Sequence, residues 1–279
     1  MGNTATRRGS KADSFSSGEL WKSHRKAVST LGIMSENQQI VVGGHDILEE
    51  ILPREGFSQV LHLFFKKRLP DPKAARVLEL LAIALNYPDI RIWPIGAVAL
   101  AGAAGATVAS ALSAGILGIE SRIFGVIAVE EAAKGFREAE KNKRNGRLES
   151  HLEGLIEARK IIYGFGRPVF RTDERVPPVL REARKLGLES RKWIDLALEM
   201  EEILGRKKGL RLNYGGVIAA LLLDIGFSEV EIGAFFVYAV VVNFLGVFLE
   251  QHRTAKPIFP ISCLDIEYLG PEPRTGGAR

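Results

Sequence analysis

The sequence predicts a nearly all-α protein with one short β-hairpin near its N-terminus. Three observations carry that expectation. Apolar residues recur every three to four positions through most of the chain after residue 46, the spacing of helices with one buried face. Helix starts are marked by capping signals, such as Asp46 and the Asp71–Pro72 pair. β-like runs are confined to the stretch before residue 42. The composition agrees, since 279 residues with 46% apolar and 25% charged suit a folded chain with a large core.

Residues 1–27 are rich in Ser, Gly and Thr, carry Arg7, Arg8, Lys11, Lys22 and Arg25 within the first 25, and lack apolar periodicity. They read as a flexible basic tail with a short helix from about Glu19. From Val28 onward, "TLGIM" and "QQIVV" are separated by the turn-prone "SENQ", which makes a hairpin. A helix then starts at Asp46, and "FSQVLHLFFKKRLP" places Phe57, Val60, Leu61, Phe64 and Phe65 on one face until Pro70 stops it. "DPKAARVLELLAIALNY" begins with an Asp cap and Pro72 in the first turn. Residues 95–119 follow as one Ala/Gly-rich helix. Next comes "SRIFGVIAVEEAAKGFREAEKNKRNG", whose charge density rises toward Gly146 as at an emerging helix end. "HLEGLIEARKIIYGFG" reads as a helix ended by the Gly164–Gly166 turn. The segments "VPPVLREARKLG", "SRKWIDLALEMEEILG" and "YGGVIAALLLDIG" complete the set with a second uncharged helix over residues 232–249.

Several function classes lose their support at this level. The net charge is +5, but much of the excess sits in the tail and the remainder is mixed in sign, so no nucleic-acid surface is expected. Cys263 is the only cysteine, which excludes an intramolecular disulfide and makes the cytoplasm the default compartment. Two stretches, 95–119 and 232–249, carry no charge and meet the length criterion for a membrane-spanning helix. The first is mostly Ala, Gly and Ser, and the second lacks a flanking basic cluster or aromatic belt, so buried core helices are expected and no membrane. The five histidines form no pair at metal-ligand spacing, and no metal is expected. Neither a nucleophile elbow nor a glycine-rich phosphate loop is present.

What remains is "YGFGRPVFRTDER" at 163–175. Backbone N–H groups freed by Gly164 and Gly166, with Arg167, Arg171 and Arg175 nearby, form one reading, a cradle for a phosphate or carboxylate. A helix end followed by a salt-bridged surface segment is the other. Spacing alone leaves both open.

The order of segments resembles the citrate synthase superfamily, and within it the citryl-CoA lyase module of ATP-citrate lyase. "GFGRPVFRTDER" resembles that family's Gly-Phe-Gly-His-Arg-Val…Asp-Pro-Arg segment. "GHDILEEILPREGFSQVLHLFFKKRLP", "ASALSAGILGIESRIFGVIAVEEAAKGF", "LRLNYGGVIAALLLDIGF", "FLGVFLEQHR" and "DIEYLGP" are similar to further segments in the same order, over about residues 28–270. The resemblance implies a large helical domain, a smaller helical domain over about 150–205 within a unit spanning 28–279, and a homodimer burying the uncharged helices. It also implies a coenzyme A thioester as substrate or ligand, held partly by the backbone of Gly164, Phe165 and Gly166, with Arg171 near the CoA phosphates and Arg175 on the carboxylate-binding arginine.

The departures fall on the chemistry. The histidine of the Gly-Phe-Gly-His segment is Arg167, another histidine falls at or near Tyr87, and a catalytic aspartate falls at Gly215. A third histidine falls at Phe124 or Gly125, and a carboxylate-binding arginine falls at Val240. An arginine stays charged and moves no proton, so neither synthesis nor cleavage of citryl-CoA is expected. One expectation is an enzyme acting on another acyl-CoA by carbon–carbon lysis or acyl transfer, with Asp89, Tyr87 and Arg167 as catalytic candidates. Arg91, Arg122, Arg175, Phe124 and Gly215 would then contact the substrate, and Trp93 and Phe124 make the pocket less polar than one for citrate. The alternative is a catalytically inactive subunit that binds CoA or partners an active relative.

Overall fold

The computed structural model describes residues 28–167, 171–188, 191–254 and 265–271. The basic tail, Pro168 and Cys263 lie outside the described residues. The chain divides into two compact units, residues 1–69 and 70–279.

In the first unit, β1 (Gly32–Met34) pairs antiparallel with β2 (Ile40–Val42), which pairs antiparallel with β3 (His45–Asp46). The third strand adds to the single hairpin expected from the sequence. Its connection to β2 is a two-residue loop, Gly43–Gly44, with φ of 58° and 89°, the left-handed geometry that tight hairpins require and glycine supplies without strain. Asp46 then caps a single turn of π-helix, α1 (Ile47–Ile51), accepting from the N–H groups of Leu48 and Glu49 at 2.9 and 3.1 Å. Val42, Ile51 and Leu63 form the core here, with Leu31, Ile47, Val60 and Leu69 against it.

Helix α2 (Phe57–Lys66) differs from expectation in which face it buries. Ser58, Leu61, His62 and Leu63 are inside, while Phe57 and Phe64 are 68% and 44% exposed. The helix is turned so that His62 can be satisfied internally, its Nδ1 lying 2.8 Å from the Arg68 carbonyl. It ends at Lys67, which adopts φ of 56°, before Pro70 is reached.

The second unit is helical. Helix α3 (Pro72–Leu85) starts as the sequence indicates, Asp71 Oδ1 accepting from the N–H groups of Lys73 and Ala74 at 2.8 and 3.1 Å. The uncharged run 95–119 is not one helix. It is α4 (Trp93–Ala103) and α5 (Val108–Gly118), which fold back on each other across Gly105 at φ 78°, with Thr107 capping the second. Small residues permit the packing: a Cβ on Gly115 would lie 2.5 Å from Val98 and 2.8 Å from Phe244. Phe244 belongs to α11 (Glu229–Thr254), the one helix among the described residues long and apolar enough to cross a membrane. Over half of its most apolar stretch, 56%, is buried within the chain.

Helices α6 (Val126–Arg144), α8 (Val176–Leu186) and α9 (Lys192–Lys208), together with α3 and α11, pack around α10 (Tyr214–Asp224), which is buried along nearly its whole length, and α7 (Leu148–Glu157) packs on α6 and α9. Helix α7 stops well before the glycine turn, at a left-handed Arg159 with φ 52°. The chain leaves the helix there because residues 164–166 are drawn to the segment before α10. Gly166 N–H donates to the Arg211 carbonyl at 2.7 Å, and Asn213 N–H donates to the Gly164 carbonyl at 2.9 Å. Phe165 and Leu212 form an antiparallel bridge.

One side chain ties α3 to the middle of α11. Asn86 Nδ2 donates to the carbonyls of Ala82 and Ala239, at 2.7 and 2.8 Å, and its Oδ1 accepts from Asn243 N–H at 2.8 Å. Asn86→Ala strips the side-chain partner from three buried or half-buried backbone groups, and the unmade bonds cost about 1 to 3 kcal/mol. Urea unfolding checks this: the midpoint drops, and an unchanged midpoint refutes the role.

Candidate functional site

A cavity of about 620 Å³ opens within the second unit, in the size range of small-molecule sites. It brings together Tyr87, Asp89 and Arg91 after α3, Arg122 and Phe124 before α6, Gly164 to Arg167, Arg175, and Gly215 on α10. These come from five separate stretches of sequence. Arg171 is exposed and is not among the lining residues. Sequence reasoning missed Asp173, Asn213, Tyr214, Tyr163 and Phe236, which also line it.

The glycine turn is held by its own chain. A Cβ on Gly164 would come within 3.0 Å of Gly216 Cα, and one on Gly216 within 2.4 Å of the Gly164 carbonyl oxygen. The two backbones touch, which is why both positions are glycine. The N–H groups of Phe165 and Gly166 are donated to Ile162 and Arg211, and the Gly166 carbonyl accepts from Asn213 Nδ2 at 2.8 Å. The reading that the turn frees N–H groups for an anion is therefore corrected for Gly166: its N–H is spent on the turn's own closure.

Arg167 lies on the cavity wall, where its guanidinium pairs with Glu174 and reaches the Thr172 carbonyl at 3.5 Å. The Glu174 carboxyl is correspondingly held below its usual range by the hydrogen bonds from Arg167.

Arg175 carries the central arrangement. Its Nε and Nη2 donate to Asp173 Oδ1 and Oδ2 at 2.8 and 2.7 Å, a two-point pairing of guanidinium and carboxylate. The guanidinium also lies 5.1 Å from the Tyr87 ring centre and 4.6 Å from that of Tyr214. Asp173 is 4% exposed and accepts the Tyr214 N–H at 3.0 Å, at the N-terminus of α10. Burial pushes its carboxyl up, but the Arg175 hydrogen bonds and charge outweigh that and hold it below the usual value. Tyr214 is buried and pushed well above the usual phenol range by desolvation, and its hydroxyl donates to the Leu81 carbonyl at 2.6 Å.

Asp89 is also paired. Arg91 Nε and Nη2 reach its two oxygens at 2.9 and 2.7 Å, and these hydrogen bonds hold the Asp89 carboxyl down at about 2. A carboxylate so acidic is a weak proton acceptor near neutrality. Arg122 is exposed and has no ion pair among the described residues. On the apolar wall, Phe124 stands edge-to-face with Trp93 at 5.7 Å and with Phe236 at 5.9 Å, and the Trp93 indole N–H donates to the Gly118 carbonyl at 3.0 Å. Among the described residues no cluster of His, Cys, Asp and Glu is arranged to hold a metal ion.

Fold and cavity together define an all-α protein with a large, mostly apolar chamber walled by arginine–carboxylate pairs. The family profile described as citrate synthase, C-terminal domain, matches residues 96–260, more than half of the chain, and the chain belongs to the citrate synthase family. It is similar to the probable ATP-citrate synthase subunit 1 of Neurospora crassa, with 27% identity covering 88% of this chain and 39% of that protein. The human ATP-citrate synthase is also 27% identical, over 84% of this chain and 22% of its own length. The chain thus spans well under half the length of these relatives. Among solved structures, the citryl-CoA lyase of Hydrogenobacter thermophilus superposes with a TM-score of 0.80 at 24% identity, covering 89% of this chain and 96% of that one. An ATP citrate lyase of Methanothrix soehngenii, in complex with citrate and coenzyme A, gives 0.76 at 22% identity over 95% and 46%. These superpositions establish the citrate synthase-like fold.

The Asp173–Arg175 pair sets an acid limit. The folded-state pKa of Asp173 lies below the unfolded value of about 3.9, so the stabilisation is present above that pH and is lost as pH falls through the folded value. Asp173→Asn flattens this acid limb in urea midpoints measured from pH 6 downward, and Asp173→Ala costs about 3 to 5 kcal/mol by leaving Arg175 unpaired. For the glycines, Gly216→Ala destabilises by about 1 to 3 kcal/mol through contact with Gly164, read in thermal melts. Gly215→Ala, whose Cβ would meet the Asn213 side-chain oxygen at 3.3 Å and no backbone of another segment, costs less than Gly216→Ala in the same melts.

Proposed function

We propose that the chain binds an acyl-CoA thioester in this cavity and neither makes nor cleaves citryl-CoA. The carrying observation is that the two carboxylates lining the cavity, Asp89 and Asp173, are each clamped by an arginine and held acidic. Citrate chemistry at a carbon next to a thioester needs a base, and general acids for the oxygen, with pKa values near the working pH. No histidine among the described residues lines the cavity, and Arg167 in the histidine's seat stays charged. The support for a CoA thioester is membership of the family, the cavity volume, and the cationic residues around it. Arg122 and Arg171 would face the phosphates, and the Gly164–Gly166 backbone would line the thioester end.

Once the thioester is bound, two fates differ in chemistry. In one, the protein acts on an acyl-CoA other than citryl-CoA, with Tyr87 and Asp89 the hydroxyl and carboxylate on the wall. In the other it is a catalytically inactive subunit, which the arginine clamps on both carboxylates favour. Recovering the bound thioester unchanged after prolonged incubation supports the inactive subunit, whereas a shortened acyl-CoA supports carbon–carbon lysis and free CoA thiol supports acyl transfer.

The first experiment is a thermal-shift titration with CoA, acetyl-CoA, larger acyl-CoA thioesters and citrate, alongside citrate synthase and citryl-CoA lyase assays. Ligand at about 100 times its dissociation constant stabilises by about 2.7 kcal/mol, which for a chain of this size raises Tm by roughly 5 to 10 °C. The expected result is a shift with an acyl-CoA, none with citrate, and no turnover in either assay. Family-like turnover of citryl-CoA overturns the proposal.

A further inference from the structure

We propose that residues 265–271 of this chain act as a lid on the chain's own cavity, laying apolar side chains on its opening and a carboxylate against Arg122. Two surfaces without partners point to each other. Among the lining residues, Ile123, Ile161 and Trp93 stay 71%, 65% and 47% exposed, so they mark the opening rather than the interior. Arg122, next to Ile123, also lines the cavity, is exposed and has no ion pair among the described residues. The opening is therefore apolar and carries an uncompensated positive charge.

The segment has the matching chemistry. Ile266, Tyr268 and Leu269 are all exposed, Leu269 at 86%, and Asp265 and Glu267 have no ion pair among the described residues. In an extended chain alternate residues face opposite sides, which separates Asp265 and Glu267 from Ile266 and Tyr268. The Tyr268 hydroxyl donates to the Pro271 carbonyl at 2.8 Å, a bond made within the segment. Covering Ile123 and Ile161 with Ile266 and Leu269 removes apolar surface from water on both sides.

Chain length lets the same molecule do this. Phe236 lines the cavity, and Thr254 ends α11 about 27 Å farther along the helix. Residues 255–264 join Thr254 to Asp265, a length of chain that spans up to about 36 Å when fully extended. The return to the opening is within reach. A tether this short gives an effective concentration on the order of millimolar, above that of a second copy in dilute solution, so a weak contact suffices. A molecule entering the cavity then has to displace the segment, and an anion has to take Arg122 from it.

The test uses the full chain, without ligand, as Cys263→Ser with Ile123→Cys and Leu269→Cys, both at exposed positions. A disulfide forms only when the two Cα atoms come within about 7 Å. Val230→Cys with Leu269→Cys is the control, since Val230 is exposed and does not line the cavity. Under diamide the 123–269 disulfide is expected within single chains, at least about fivefold faster than the control pair. Equal rates overturn the proposal, and a dimer-sized product overturns it by giving the opening to a second copy. In a further variant Asp265→Asn and Glu267→Gln slow the 123–269 reaction about threefold at low ionic strength. An unchanged rate overturns the charge match to Arg122. No CoA compound enters either arm, so this inference stands or falls apart from the acyl-CoA reading.

Discussion

Asp173 sits where the loop before α8 meets the start of α10, and its single negative charge joins the two. Its oxygens take the guanidinium of Arg175, the backbone N–H of Arg175 and the N–H of Tyr214, so one buried carboxylate fixes the 173–175 segment onto the start of α10. The positive end of that helix adds to the attraction. Arg175 passes the constraint on, lying against the rings of Tyr87 and Tyr214, and the Tyr214 hydroxyl reaches back to Leu81 in α3. Asp173 and Arg175 are thus cavity-lining charges and structural joints at once.

The glycine turn shows the same economy. Gly164 and Gly216 bring two backbones into contact, and Asn213 fastens the approach by capping α10 with Oδ1 and holding Gly166 with Nδ2. A residue pattern that in isolation suggests an anion cradle is here spent on closing one part of the chamber against the helix behind it. The family frame persists while the groups at its chemical positions are Arg167, Tyr87, Gly215 and Phe124.

The sequence made α3, α6 and the first hairpin legible because each carries a local signal: Asp71 with Pro72, a charged C-terminal gradient, and a polar turn between two β-like runs. The break between α4 and α5 was hidden because a run of Ala, Gly and Ser has no amphipathic phase to lose, and Gly105 stands among other glycines. The end of α7 was hidden for another reason, since the pull of Arg211 and Asn213 on residues 164–166 is non-local. At the site, the resemblance indicated stretches that the fold gathers, from Tyr87 to Gly215. It did not indicate the partner of each arginine. Asp173 and Glu174 are adjacent in the chain, yet the first meets Arg175 and the second reaches back to Arg167. Only the folded loop decides which carboxylate meets which guanidinium.

Asn86 has a kinetic meaning beyond the bonds it makes. It holds the Asn243 N–H and the Ala239 carbonyl, one turn apart in the middle of the longest helix, and its neighbour Tyr87 lines the chamber. Asn243 also donates its Nδ2 to the Tyr87 carbonyl at 2.9 Å, so the centre of α11 and this part of the chamber wall are joined by two adjacent side chains, and an opening of one that breaks these bonds also removes support from the other.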